Sequence, residues 1–152
     1  MNFEQYSIIS DSSFLSYKFE SVGPKGVIKK YVYYRKIHMI NEITYNLSFG
    51  DWDELTGGIN DLVISNNNDT TKILFTVYQT VLLFTSHFPN ANVLIVGSTN
   101  SRTRLYQMAI GRNFIEIEKN FDIQGFKYGS WELFKHGINF DAFLAKKKIN
   151  KS

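Results

Sequence analysis

Residues 92–112 read Asn92-Val93-Leu94-Ile95-Val96-Gly97-Ser98-Thr99-Asn100-Ser101-Arg102-Thr103-Arg104-Leu105-Tyr106-Gln107-Met108-Ala109-Ile110-Gly111-Arg112. Val93 to Val96 is an unbroken apolar run, suited to a central strand covered on both faces. Gly97-Ser98-Thr99 ends that strand, and apolar residues then recur at helical spacing, predicting a helix from about Thr99 to Gly111. A buried strand passing through a short turn into a helix calls for at least one parallel crossover.

The same logic extends upstream. Asn66-Asn67-Asn68-Asp69 is a polar loop, with Asp69 or Thr70 placed to cap a long helix over about Thr70 to His87. Apolar residues cover most of that helix's circumference, which predicts burial on more than one side. Before it, Tyr17 to Glu20, Val27 to Ile37, Ile43 to Phe49 and Ile59 to Ile64 read as strands. Gly23-Pro24-Lys25-Gly26 and Gly57-Gly58 mark the reversals between them. Tight turns make these strands antiparallel neighbours, and Ile43, Tyr45, Leu47 and Phe49 share one face. Downstream, Phe121 to Phe126, Trp131 to Phe134 and Phe140 to Ala145 read as further strands. The fold class is therefore α+β, a mixed sheet of about six to seven strands with two main helices, in the order β-β-β-β-α-β-α-β-β.

The chain of 152 residues, 43% apolar and 16% aromatic, fits one domain with its own core, 1–152. No apolar run reaches the ~20 residues of a membrane helix, so no membrane association is expected. The first residues lack a basic and apolar leader pattern, and without cysteine there is no thiolate site. A cytoplasmic location is the expectation. The net charge is +3, but Lys146, Lys147, Lys148 and Lys151 supply a frayed basic tail from about 146, and without them the balance is −1. Lys25, Lys29, Lys30, Arg35 and Lys36 form a basic segment followed by an acidic one with Asp51, Asp53, Glu54, Asp61 and Asp69. Neighbouring strands would neutralise each other across the sheet. A nucleic-acid footprint needs unopposed basic residues on one face, so nucleic acid is an unfavoured partner.

The second helix holds the residues best placed for chemistry. A helix N-terminus carries partial positive charge, so Arg102 and Arg104 there call for an anion. On a wheel of ~100° per residue, Leu105, Tyr106, Ala109 and Ile110 share a face with Arg102 near its middle, while Arg104 points away. An inward arginine is nearly always paired. It is either half of an ion pair, with Asp61 or Asp69, or an anion clamp helped by Gly97, Ser98 and Thr99. Tyr106, one turn on, is either a core aromatic or a proton donor at the same place. Asp51-Trp52-Asp53-Glu54 lacks the spacing of a calcium loop and reads as a solvated hairpin turn. His38, His87 and His136 share no metal-ligand spacing, and no metal is assigned.

Two resemblances follow. Gly23-Pro24-Lys25-Gly26, Tyr45-Asn46-Leu47-Ser48-Phe49-Gly50-Asp51, Ser65-Asn66-Asn67 and Gly97-Ser98-Thr99 with Arg102-Thr103-Arg104-Leu105-Tyr106 resemble a small bacterial family of unknown function, over nearly the whole chain. The order of elements also resembles the GCN5-related N-acetyltransferase fold. That family's second helix carries a motif to which Leu105-Tyr106 followed by Gly111 is similar, with one extra residue before the glycine. The resemblance implies acyl-coenzyme A as cofactor and Tyr106 as the acid that protonates the departing thiolate. That fold grips pyrophosphate with a glycine-rich loop opening its long helix; here the segment is Asn66-Asn67-Asn68-Asp69-Thr70-Thr71, without glycine. Two functions stay in view: an acetyltransferase-like domain, active or degenerate, and a non-enzymatic interaction module, such as a toxin–antitoxin or defence component, with a protein partner or as a homo-oligomer.

Overall fold

The structure is a computed structural model that describes residues 4–39, 42–60 and 66–149. Along the chain the elements are β1 (Ile9–Ser10), β2 (Ser16–Gly23), β3 (Gly26–Met39), β4 (Glu42–Asp53), β5 (Gly58–Asn60), α1 (Thr70–His87), β6 (Asn92–Ile95), α2 (Asn100–Arg112), α3 (Phe114–Glu118), β7 (Phe121–Lys127), β8 (Ser130–Leu133) and β9 (Ala142–Lys147). The strands hydrogen-bond in the order β1-β2-β3-β4-β6-β9-β7-β8, with β5 on β4. Among pairs with a defined register, only β4 with β6 is parallel. The predicted α+β class and the expected parallel crossover are thus observed. The two-residue β1 and the five-residue α3 enlarge the expected list, while β8 falls on the strand expected at Trp131 to Phe134. Of the strand predicted over Ile59 to Ile64, only the start falls among the described residues.

The chain divides into two compact units, 1–35 with 47–87, and 36–46 with 88–152. In the first unit, β2 and β3 form the hairpin that the glycine turn predicted, paired from Ser16↔Tyr33 to Gly23↔Gly26. Its core sets Tyr17, Phe19, Val32, Tyr34, Leu47 and Phe49 against Ile73, Val77, Val81 and Phe84 of α1. Tyr34 stacks on Phe84 with ring centroids 4.1 Å apart, and its hydroxyl meets Thr80 Oγ1 at 2.8 Å. Burial raises the Tyr34 hydroxyl well above the ordinary tyrosine range.

Helix α1 departs from the expectation of burial on several sides. Its buried residues are Ile73, Thr76, Val77, Thr80, Val81, Phe84 and Thr85, about half the circumference, and Leu83 is exposed. Three of the seven are threonines. Each donates its hydroxyl to a carbonyl of its own helix, Thr76 to Lys72, Thr80 to Val77 and Thr85 to Val81, so no polar atom is left unpaired by burial. Threonine can therefore take inward positions that hydropathy alone assigns to leucine.

The expected neutralisation between β3 and β4 is present. Lys29 pairs with Glu54 on the surface at 3.2 Å, and Lys30, whose side chain is wholly buried, pairs with Asp51 at 2.5 Å. Asp51 is thus no part of a solvated turn. It lies within β4 as the counter-charge of a buried ammonium. Asp53 closes the turn that follows, its Oδ1 accepting from Leu55 N.

In the second unit, β6 runs between β4 (Thr44↔Asn92 to Asn46↔Leu94) and β9 (Asn92↔Lys146 to Ile95↔Phe143). Its core comprises Val93, Tyr106, Ile110, Ile117, Phe121, Ile123, Phe134, Phe140, Phe143 and Ala145. Gly125 is required by close packing, because a Cβ there would lie 2.6 Å from Phe140 Cε1. The basic tail does not fray at 146. β9 continues through Lys147, Lys148 N donates to Asn120 O, and the Lys148 ammonium lies 3.8 Å from Asp122, so pairing with β7 carries order further along the chain.

Candidate functional site

The site singled out in the sequence, Gly97 to Tyr106, lies in the second unit. Thr99 caps α2 by accepting from Arg102 N at 3.3 Å. Thr103 Oγ1 accepts from Gly97 N at 3.1 Å and donates to Thr99 O at 3.2 Å, tying the strand end to the first helical turn. That closeness requires glycine. A Cβ at Gly97 would stand 2.5 Å from both Arg102 Cβ and Thr103 N. Gly97→Ala is expected to cost about 2–3 kcal/mol, as a backbone–backbone overpack must be relieved by moving the helix. A urea midpoint unchanged from the parent would refute this.

The helix is rotated from the expected wheel. Its buried residues are Thr103, Tyr106 and Ile110, whereas Leu105 and Ala109 are half-buried and Met108 is exposed. The two bonds of Thr103 Oγ1 bring that polar residue inward and swing Arg102 from the middle of the inner face to its margin. There Arg102 is half-buried, with a guanidinium nitrogen donating to Ser98 Oγ at 2.7 Å. Among the described residues it forms no ion pair. Of its expected partners, Asp61 lies outside the described residues. Asp69 lies in the first unit, with one carboxylate oxygen accepting from the Tyr6 and Ser21 hydroxyls, each at 2.5 Å.

Arg104 was expected to face away, but its guanidinium donates to Phe140 O and Gln107 Oε1. Gln107 also accepts from Phe140 N and donates to Ile138 O, so one side chain clasps the loop before β9 to α2. Nothing in the sequence marked Gln107, because the loop residues that it joins to α2, Ile138 and Phe140, lie more than thirty residues away. Tyr106, 9% exposed, turns toward the core of its unit.

The opening of α1 is closed by the protein's own atoms. Asp69 O accepts the first helical bond, from Ile73 N, so Asp69 takes the capping position, but its carboxylate is directed to Tyr6 and Ser21. Burial, and then the bond to Asp69, raise the Tyr6 hydroxyl above its ordinary range. Asn67 is buried among Lys25 N, Ser21 Oγ and Gly26 O, which it binds at 2.7, 3.2 and 2.9 Å. Among the described residues no group of three or more His, Asp or Glu side chains could hold a metal. His87 stacks on Phe14 and His136 meets Gly111 O, so these two histidines have separate packing roles.

The fold defines a mixed α+β protein with a mostly antiparallel open sheet and few helices. The chain belongs to a family of unknown function (DUF6934), whose sequence model matches residues 2–148. No curated protein matches it, and no solved structure does. Among the described residues no helix is long and apolar enough to cross a membrane.

Proposed function

We propose that the chain is an acetyltransferase-like domain, active or degenerate, that binds an anionic ligand of the acyl-coenzyme A type at the Gly97-Ser98-Thr99 turn and Arg102. The observation that carries this reading is the β4–β6 pair, the one parallel pair of defined register in an otherwise antiparallel set, with α1 before β6 and α2 after it. That is the element order the resemblance requires. Arg102 supports it, as a cation at a positive helix end without a carboxylate partner among the described residues. Because Asn67 and Asp69 occupy the α1 opening, phosphate contacts are assigned to the α2 turn. Arg104 is held by Phe140 and Gln107, so Arg102 is the main contact. Tyr106 would be the proton donor to the departing thiolate.

Calorimetric titration of acetyl-coenzyme A into the purified protein tests this. Micromolar binding is expected, lost on Arg102→Ala and kept on Tyr106→Phe. No heat at millimolar ligand would discard the acetyltransferase reading. The second reading, a non-enzymatic interaction module, draws on large apolar side chains left in solvent in the second unit, Ile115 at 79% and Leu133 at 69% exposure. Co-purification with a partner protein, with no acyl-coenzyme A binding, would favour it.

A further inference from the structure

In the first unit one face of the sheet lies under α1, the helix of that unit, and the other leaves Lys18, Glu20, Lys29, Tyr33 and Arg35 exposed. On β3, Lys30, Val32 and Tyr34 point to the buried side, so Lys29, Tyr31, Tyr33 and Arg35 point to the open one. The register with β2 adds Lys18 beside Tyr31 and Glu20 beside Lys29. From β4, Trp52 packs against Tyr31 with ring centroids 4.9 Å apart. The Lys18 ammonium lies 5.1 Å from the Trp52 ring and 5.7 Å from that of Tyr31. Tyr33 is 36% exposed with no ring partner described.

The charges along this face are ordered. At one end Glu20 and Glu54 surround Lys29, and the Lys29–Glu54 pair leaves an acidic excess of Glu20. At the other end stands Arg35, which forms no ion pair among the described residues. The aromatic group lies between. From Lys29 to Arg35 is about 20 Å, six residues at roughly 3.3 Å each.

We propose that this face is the contact surface of a homodimer, two copies packing their open sheet faces antiparallel about a two-fold axis between Tyr31 and Tyr33. A two-fold contact needs a self-complementary patch. An axis there sets Arg35 of each copy against the Glu20, Lys29 and Glu54 group of the other, which carries one net negative charge, and brings the aromatic centres together inside that charged rim. A single-stranded nucleic acid would need cations without acids and open ring faces. Glu20 and Glu54, carboxylates on the same face, oppose that occupant. This inference is independent of the acyl-coenzyme A reading.

The test is sedimentation of the full-length chain from a few micromolar to several hundred micromolar, with circular dichroism to verify folding. The weight-average mass is expected to climb toward twice that of one chain. Tyr33→Asp is expected to hold it at one chain throughout. Arg35→Glu should raise the dissociation constant at least tenfold, and adding Glu20→Arg should recover dimerisation through the reversed pair. A parent that stays monomeric at the highest concentration overturns the proposal. So does a dimer indifferent to Tyr33→Asp, or a charge reversal that restores nothing. Retention on single-stranded DNA that falls steeply with salt and is lost with Tyr33→Asp would assign the face to nucleic acid instead.

Discussion

Replacing Asn67 by alanine is expected to lower the unfolding free energy by about 3 kcal/mol. The side chain is 1% exposed and makes three hydrogen bonds, accepting from Lys25 N and donating to Ser21 Oγ and Gly26 O. Each truncated bond strips a partner in the β2–β3 turn, and an unpaired buried group costs about 1–3 kcal/mol, less where water reaches it. For a chain of this size the loss corresponds to a melting temperature lower by about 6–12 °C. Gly23 makes the same contact from the opposite side, since a Cβ there would lie 2.8 Å from Asn67 Cγ. Gly23→Ala should therefore destabilise as well, and the loss should persist in the Asn67→Ala background, because the added Cβ would meet the backbone oxygen of residue 67 first. A melting temperature within a degree or two of the parent would show that the Asn67 clasp is not what holds the turn to the loop before α1.

Asp51→Ala should cost about 3–5 kcal/mol, because it removes the carboxylate paired with the buried Lys30 ammonium. The Lys30 side chain is wholly buried and that of Asp51 is 15% exposed, at an Nζ–Oδ1 separation of 2.5 Å. Burial of the intact pair is a different matter. The desolvation of two charges offsets much of their attraction, so Lys30→Met with Asp51→Leu should be close to neutral or stabilising. Glu54→Ala is the surface control, since the Lys29–Glu54 pair is largely exposed and should contribute less than about 1 kcal/mol. Urea denaturation of the three variants separates the cases. If Asp51→Ala and Glu54→Ala cost the same, burial is not the deciding factor.

Both predictions fall on residues that the sequence marked for other reasons. Gly23, Asn67 and Asp51 belong to the motifs that suggested the family, and each has a packing explanation. Gly97 joins them, set by the approach of α2 to the end of β6. Much of what looked like a signature is the set of points where backbone meets backbone or a buried charge meets its partner. Arg102 is the exception, half-buried and without an acid among the described residues, and it is the motif residue on which the ligand reading depends.

Sequence alone determined the elements whose cause is local. The β6 strand, the Thr70 to His87 helix with Asp69 at its capping position, and the β2–β3 turn follow from side-chain period, capping preference and glycine turns within a few residues of each other. Even so, β6 ends at Ile95, and Val96, expected inside it, is 38% exposed. The pairing of basic β3 with acidic β4 was legible too, because a short connection makes consecutive strands neighbours. Tertiary structure alone decided the rest. It set the rotation of α2, through two hydrogen bonds from Thr103 that outweigh the hydropathy of Leu105, and the inward threonines of α1. It directed Asn67 and Asp69 into the first unit's own polar network, with partners 41 to 63 residues away. The physical reason is common to all of these. A polar side chain goes inside only where a distant or helical acceptor satisfies it, and the pattern along the chain does not say where that acceptor will be.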